Sequence, residues 1–243
     1  MDKRLINEIE HGKYLAREGA GEVWNWESPA GKIRWQRRVK MLTSHISSSD
    51  NVLEIGCGTG YFTKEIAKTG ANVTAIDISP ELLQIAKEEI PDTNVSFVIE
   101  NAYDLSFEAN CFDSIVGSSV LHHLEIEKAI SEMFRVLKSG GSLFFTEPNM
   151  MNPQIALQKN IPALKRKLGD SPDETAFFRW SLMTLMRKTG FTNIVIKPFD
   201  FLHPAISPAL IPFISSLGET VEKIPGLKEI AGSLYISAKK PVV

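Results

Sequence analysis

From Asp50 to Asn149 the chain alternates short apolar runs with helix-patterned stretches, and this alternation restricts the fold more than any other feature. NVLEIG (51–56) reads as a buried strand, YFTKEIAKTG (61–70) as a helix closed by Gly70, and NVTAID (72–77) as a second strand. Ser79 is positioned to cap a helix over 79–90, with Pro80 in its first turn. VSFVIE (95–100) and FDSIVGSS (112–119) are the next strands. A helix is predicted over 126–141, ended by Gly140 and Gly141, and SLFFTEP (142–148) is a fifth strand. Strands joined by crossover helices run in the same direction, so the pattern predicts an α/β fold with a parallel sheet covered by helices on both faces. A helix at 181–190 and strands at 193–201 and 232–240 bring the sheet to seven strands.

A length of 243 residues with 43% apolar content suits a single domain. Within it, 1–45 reads as a helical lid segment, 50–149 as the ligand-binding core, and 150–176 and 199–231 as cap or insertion segments. Lys and Arg number 27 against 29 Asp and Glu, and this near balance argues against a nucleic-acid partner. The two cysteines, Cys57 and Cys111, form no cluster with metal-ligand spacing, so neither a disulfide scaffold nor a metal site is expected. With no apolar stretch long enough for a signal peptide or a membrane span, a cytoplasmic protein is expected.

The first strand runs into Gly56, Gly58 and Gly60, at the sheet edge where α/β folds bind ligands on glycine backbone and helix-initial N–H groups. Asp77 ends the second strand 21 positions after Gly56, within reach of a ribose diol. A nicotinamide-dependent oxidoreductase is the rival reading, but its G-x-G-x-x-G loop needs a glycine where this chain has Tyr61. No Gly-Lys-Ser/Thr follows, which excludes a P-loop. Glu54, two residues before the loop, suits a ligand carrying ammonium and sulfonium charges better than a diphosphate.

VLEIGCGTG (52–60), AIDIS (75–79), ENAYDLSF (100–107), FDSIVGSSVLHHL (112–124) and LKSGGSLFFTEPN (137–149), in this order, resemble the motifs of the class I S-adenosylmethionine-dependent methyltransferases, in their small-molecule branch. The resemblance is dense over 40–149 and loose beyond. It implies a Rossmann-like, doubly wound sheet with an antiparallel last strand, and S-adenosyl-L-methionine as cofactor with S-adenosyl-L-homocysteine as product. It places Glu54, Gly56 and Gly58 around the methionine portion, with Cys57 and Gly60 of the same loop also on the cofactor, Asp77 on the ribose and Ile78 against the adenine face. Asn101, where the family usually has Asp, and Ala102 would read the adenine edge, with Ser118 beneath the sulfonium. A methyltransferase-fold protein that binds without chemistry is the other alternative.

His122 and His123 follow the fourth strand at the same edge and are the candidates for a general base on a neutral acceptor. Glu147 ends the fifth strand there, as a pocket contact or a cap for the next turn. Tyr14, Trp24 and Trp26 serve either as an aromatic lid or as anchors, and the basic face of the helix over 31–42 as a solvated face or an anion site. GSSVLHHL replaces the Asn/Asp-Pro-Pro-Tyr/Phe tetrapeptide of amino-group methyltransferases, which points to oxygen or carbon of a small-molecule acceptor. The apolar stretch Phe199–Leu217 would roof a pocket for an apolar metabolite, complete the core of a monomer, join a homodimer, or touch a membrane peripherally without inserting stably.

Overall fold

The computed structural model describes residues 3–91 and 93–242. The strands are β1 (Asn51–Ile55), β2 (Asn72–Asp77), β3 (Val95–Ile99), β4 (Phe112–Ser118), β5 (Leu137–Pro148), β6 (Thr192–Phe199) and β7 (Ser233–Lys239). They form one sheet in the order β3-β2-β1-β4-β5-β7-β6, in which β7 runs antiparallel to both β5 and β6 while β1 to β5 pair in parallel. Strand order reverses between β1 and β4, and the loops leaving these strands diverge to open a crevice at their carboxyl ends.

Successive side chains along the strands face opposite sides of the sheet, and the apolar residues sort accordingly. Leu53, Ile115, Leu143 and Phe145 join one core with α6 (Ile126–Val136) and α9 (Arg179–Thr189). Val52, Val116 and Phe144 join a second with Leu42 of α3 (Pro29–Thr43) and Ile66 of α4 (Thr63–Ala67). Both faces are covered, which is why the strands read as nearly continuous apolar runs.

On the second side α1 (Lys3–Glu18) lies against α5 (Pro80–Glu89), where an added Cβ on Gly12 would come within 2.5 Å of Ser79. The short α2 (Ala20–Val23) carries the chain to α3, whose Ser28 cap accepts from Gly31 N at 3.0 Å. Ser79 likewise accepts from Leu82 N, capping α5 as its position foretells. The segment after β5 forms α7 (Pro153–Asn160) and α8 (Pro162–Leu168), and the one after β6 forms α10 (Ile211–Val221).

Three boundaries differ from the sequence expectation. The helix predicted over 126–141 stops at Val136 because Leu137 already pairs with Phe112, and Gly141 passes so close to Asp113 O that an added Cβ would lie 2.9 Å away. The helix predicted over 61–70 shrinks to α4, with Tyr61 and Phe62 spent in the glycine turn. The strand predicted to 201 ends at Phe199, since Asp200 takes φ 76° and gives its N–H to Glu222 Oε1.

Asp200 is also the anchor for the basic helix. Its Oδ2 accepts from Arg34 Nε at 2.8 Å and Arg38 Nη2 at 2.7 Å, and Arg37 makes a paired contact with Glu222. The arginines of that face are therefore neither solvated nor free for an anion, and they join the N-terminal segment to the far edge of the sheet, while Lys32 and Lys40 stay exposed. Burial lowers the Arg38 guanidinium to about 10, and Asp200 is the counter-charge that keeps it tolerable. Removing one partner of a buried pair strands the other charge. Asp200→Ala is expected to cost about 3–5 kcal/mol in urea unfolding, and Asp200→Asn less.

Candidate active site

The crevice deepens into a cavity of about 710 Å³, within the range of small-molecule sites. Its first wall is the glycine loop. Cys57 N bonds to Ile76 O, extending the β1–β2 pairing, and Gly58 N donates to Asp77 Oδ2 at 2.9 Å. Gly56 and Gly58 have φ of 65° and 55°, and added Cβ atoms would lie 2.3 Å from Val120 and 2.8 Å from Trp24. These positions admit only glycine, on conformation and on space.

Gly56, Cys57, Gly58, Asp77, Ile78, Asn101, Ala102, Ser118, His122 and His123 all border the cavity. Glu54 and Gly60 do not. Gly60 faces Ile90, and Glu54 is buried behind the loop, its Oε2 without a hydrogen-bond partner. Burial pushes its carboxyl up to about 7, and the Asp77 carboxylate adds to the rise. Asp77 itself is raised by burial against the N–H groups of Ser79 and Gly58, and Asn101 Oδ1 accepts from Tyr103 N. The Ser118 hydroxyl pairs with that of Thr146 at 2.7 Å. Burial raises the Cys57 thiol, which makes it a packing residue instead of a nucleophile.

The opposite wall is a cluster of imidazoles and carboxylates. Glu147, at the end of β5, accepts from Val120 N and Leu121 N through Oε1 and from the His122 ring Nδ1 at 2.7 Å through Oε2. It thus holds the turn after β4 and the His122 ring, and is neither a lining residue of the cavity nor the cap of the turn after β5. His122 Nε2 then faces Glu174 Oε2 at 3.7 Å. His123 Nδ1 is 2.8 Å from Glu8 Oε2, and His11 Nε2 is 3.9 Å from Glu174 Oε1. Lys159 pairs with Glu174 and, at 3.0 Å, with Asp170.

Burial lowers His122, aided by the charge of His123. Burial alone would lower His123 too, but Glu174 and Glu8 hold it up at about 8. Burial opposes ionisation of Glu174, which nonetheless falls well below the usual range because His123, His122 and Lys159 face it.

Trp24 and Trp26 border the cavity, with Trp26 wedged edge-on against Phe62 and Arg38 set 5.5 Å over its ring. Tyr14 stacks on His11. Of the apolar stretch 199–217, Phe201 and Leu202 reach the cavity, Phe199 is buried, and Ile206, Ile211 and Ile214 pack with Ala30. Leu210, Phe213 and Leu217 face outward. Sequence reasoning missed Glu8, His11, Lys159 and Glu174, whose segments carry no spacing signal and meet only in the fold.

Residues 53–145 match the family described as Methyltransferase domain. A demethylmenaquinone methyltransferase of Tropheryma whipplei is 31% identical over 194 residues, covering 72% of this chain and 80% of that protein. The corresponding protein of Paenarthrobacter aurescens is 30% identical over 162 residues, covering 63% of this chain and 62% of its own length, so the chain spans less than two thirds of that relative. An S-adenosylmethionine-dependent methyltransferase from Thermotoga maritima shares the fold with a TM-score of 0.67 at 18% identity, covering 94% of this chain and 97% of its own. The chain belongs to the class I S-adenosylmethionine-dependent methyltransferases. Its cofactor is S-adenosylmethionine, which sets the oxidoreductase reading aside.

Glu54 supplies a pH test. Its folded-state pKa, about 7, lies above the ordinary 4.5, so the protonated carboxyl favours the fold at low pH and stability declines as pH rises from 4.5 to 7. Glu54→Gln is therefore expected to stabilise the ligand-free protein at pH 8, by at most about 3 kcal/mol, and to change it little at pH 4.5. Denaturant melts at the two pH values check this.

Proposed function

We propose that the protein transfers the methyl group of S-adenosylmethionine to an oxygen or carbon of a small acceptor with an apolar body and one ionisable group. The observation that carries this reading is the continuity of one cavity, which joins the glycine loop and Asp77 to the His122–Glu174 corner. The names of the demethylmenaquinone methyltransferase relatives support an acceptor of the quinone type.

The bound cofactor supplies an electrophilic methyl group on a sulfonium. The bare Gly56 and Gly58 backbone would hold its methionine portion, with the buried Glu54 carboxyl behind the loop ionising against the positive charge of the bound cofactor. Asp77 would hold the ribose, Ile78, Asn101 and Ala102 the adenine, and Ser118 the floor beneath the sulfur. Leu5, Ile155, Leu168, Phe201 and Leu202 give the acceptor an apolar bed. Its ionisable group then turns to the polar corner, where His122, His123 and Glu174 favour loss of its proton. Glu147 is a positioning residue, because it fixes the His122 ring through Nδ1 and leaves Nε2 toward the cavity.

Alignment in a water-poor pocket provides much of the acceleration for such an in-line displacement. On this reading the segments 150–176 and 199–231 choose the acceptor and 1–45 closes over it. Cys57 and Cys111 are both free thiols, which supports a reducing, cytoplasmic setting. Among the described residues no helix is long and apolar enough to cross a membrane.

Transfer of radiolabelled methyl to a panel of apolar phenols and quinols tests the proposal. Wild-type protein is expected to label at least one of them. His122→Gln is expected to lower kcat by about 10²–10⁴, the usual scale of proton-transfer assistance, with the KM for S-adenosylmethionine little changed. Unchanged kcat in His122→Gln would remove the role assigned to the corner.

A further inference from the structure

The polar corner has a geometry that acid–base assistance alone does not require. Donor atoms of His122, His123 and Glu174 all lie within 4.8 Å of one another. His122 Nε2 is 3.7 Å and His123 Nδ1 is 3.8 Å from a Glu174 oxygen, too far for hydrogen bonds. Two ligands of one transition-metal ion, each at about 2.0–2.2 Å, stand about 3–3.5 Å apart, so the three side chains would draw together by about 1 Å around an ion. His122 and Glu174 are each 5% exposed.

A second, independent observation points the same way. The far ring nitrogen of His122 is bound to a buried carboxylate, Glu147, whose oxygens are themselves fixed by backbone N–H groups. This carboxylate–histidine relay is the arrangement that sets the tautomer of metal-ligating imidazoles.

We infer that His122, His123 and Glu174 bind a divalent transition-metal ion at the acceptor end of the cavity. Two imidazoles and one carboxylate suit zinc-like ions, whereas calcium and magnesium prefer all-oxygen shells. His123 Nδ1, 3.8 Å from Glu174, is also the atom 2.8 Å from Glu8 Oε2, so a bound ion would take the place of that contact. Three protein ligands leave positions open toward the cavity, where an oxygen of the acceptor would bind. The inference rests on the proposed function, for it says how the corner favours an ionised acceptor. The opposing feature is Lys159, whose ammonium already pairs with Glu174 and Asp170. Glu174 meets it through Oε2, while Oε1 accepts from Ser171 N and faces His11 and His123.

The test uses untagged, full-length, chelator-treated protein titrated with Co²⁺ and, separately, Zn²⁺, following the visible absorption of Co²⁺ and the heat of Zn²⁺ binding. Saturation at one equivalent is expected. Glu174→Gln and His122→Gln should weaken binding by about 100-fold or more, and Glu147→Gln by about 10–100-fold, the usual effect of an outer-shell partner. S-adenosylhomocysteine affinity, measured on the same samples, should stay within about twofold, because its loop is built from other residues, which also verifies that the variants fold. Absence of saturable metal binding in protein that still binds S-adenosylhomocysteine would overturn the inference and leave Lys159 as the counter-charge. Equal metal affinity in Glu174→Gln would also overturn it. Failure to bind S-adenosylhomocysteine would instead strike the proposed function.

Discussion

The Glu147 carboxylate is where the sheet becomes a site. It stands at the end of β5, beside β4, and takes hydrogen bonds from three successive backbone N–H groups and the ring of His122. Those N–H groups belong to the turn by which β4 leaves the sheet, so one buried anion sets both the turn and the imidazole it presents. Without that acceptor the turn would hold unpaired buried donors, each costing about 1–3 kcal/mol. The same turn presses Val120 against Gly56, which ties the glycine loop's position to the carboxylate two strands away.

Around this anchor the protein buries more charge than a stable core needs. Glu8, Glu174 and Asp170 close the corner with His11, His122, His123 and Lys159, and Arg38 with Asp200 lies in the cavity wall on the other side. Burying ionised groups is unfavourable unless each finds a partner, and apolar replacements often stabilise more. Such a concentration along one cavity is the electrostatic pattern of a functional site, not of a core built for stability. The ion pairs also join remote parts of the chain: Glu8 and His11 come from α1, Glu174 from the segment before α9, and the histidines from the sheet edge.

The core was legible in the sequence because its signals are local. Strand alternation, the Ser79 cap and the glycine-rich turn each act within a few residues, and the succession of strands, glycine loop and Asp77 along the chain followed from them, while the doubly wound sheet with its antiparallel last strand was implied by the family resemblance. Boundaries failed where tertiary pairing overruled local pattern, as at Leu137, which is helix-patterned but already paired with Phe112. The acceptor side was only half legible. His122 and His123 stood out beside a strand end, but Glu174 lies 51 positions from His123, and neither composition nor periodicity signals that meeting. The arginines of α3 read as a surface face because Asp200 and Glu222, which neutralise them, lie more than 160 residues on. Contacts of that range depend on the whole packing of the flanks, which a single sequence does not display.

Calorimetric titration with S-adenosylhomocysteine tests most directly whether the cavity takes the cofactor at the glycine loop. Saturable one-to-one binding is expected, weakened strongly by Asp77→Ala and abolished by Gly58→Val. Absence of binding by the wild-type protein, or binding indifferent to both substitutions, would contradict that expectation.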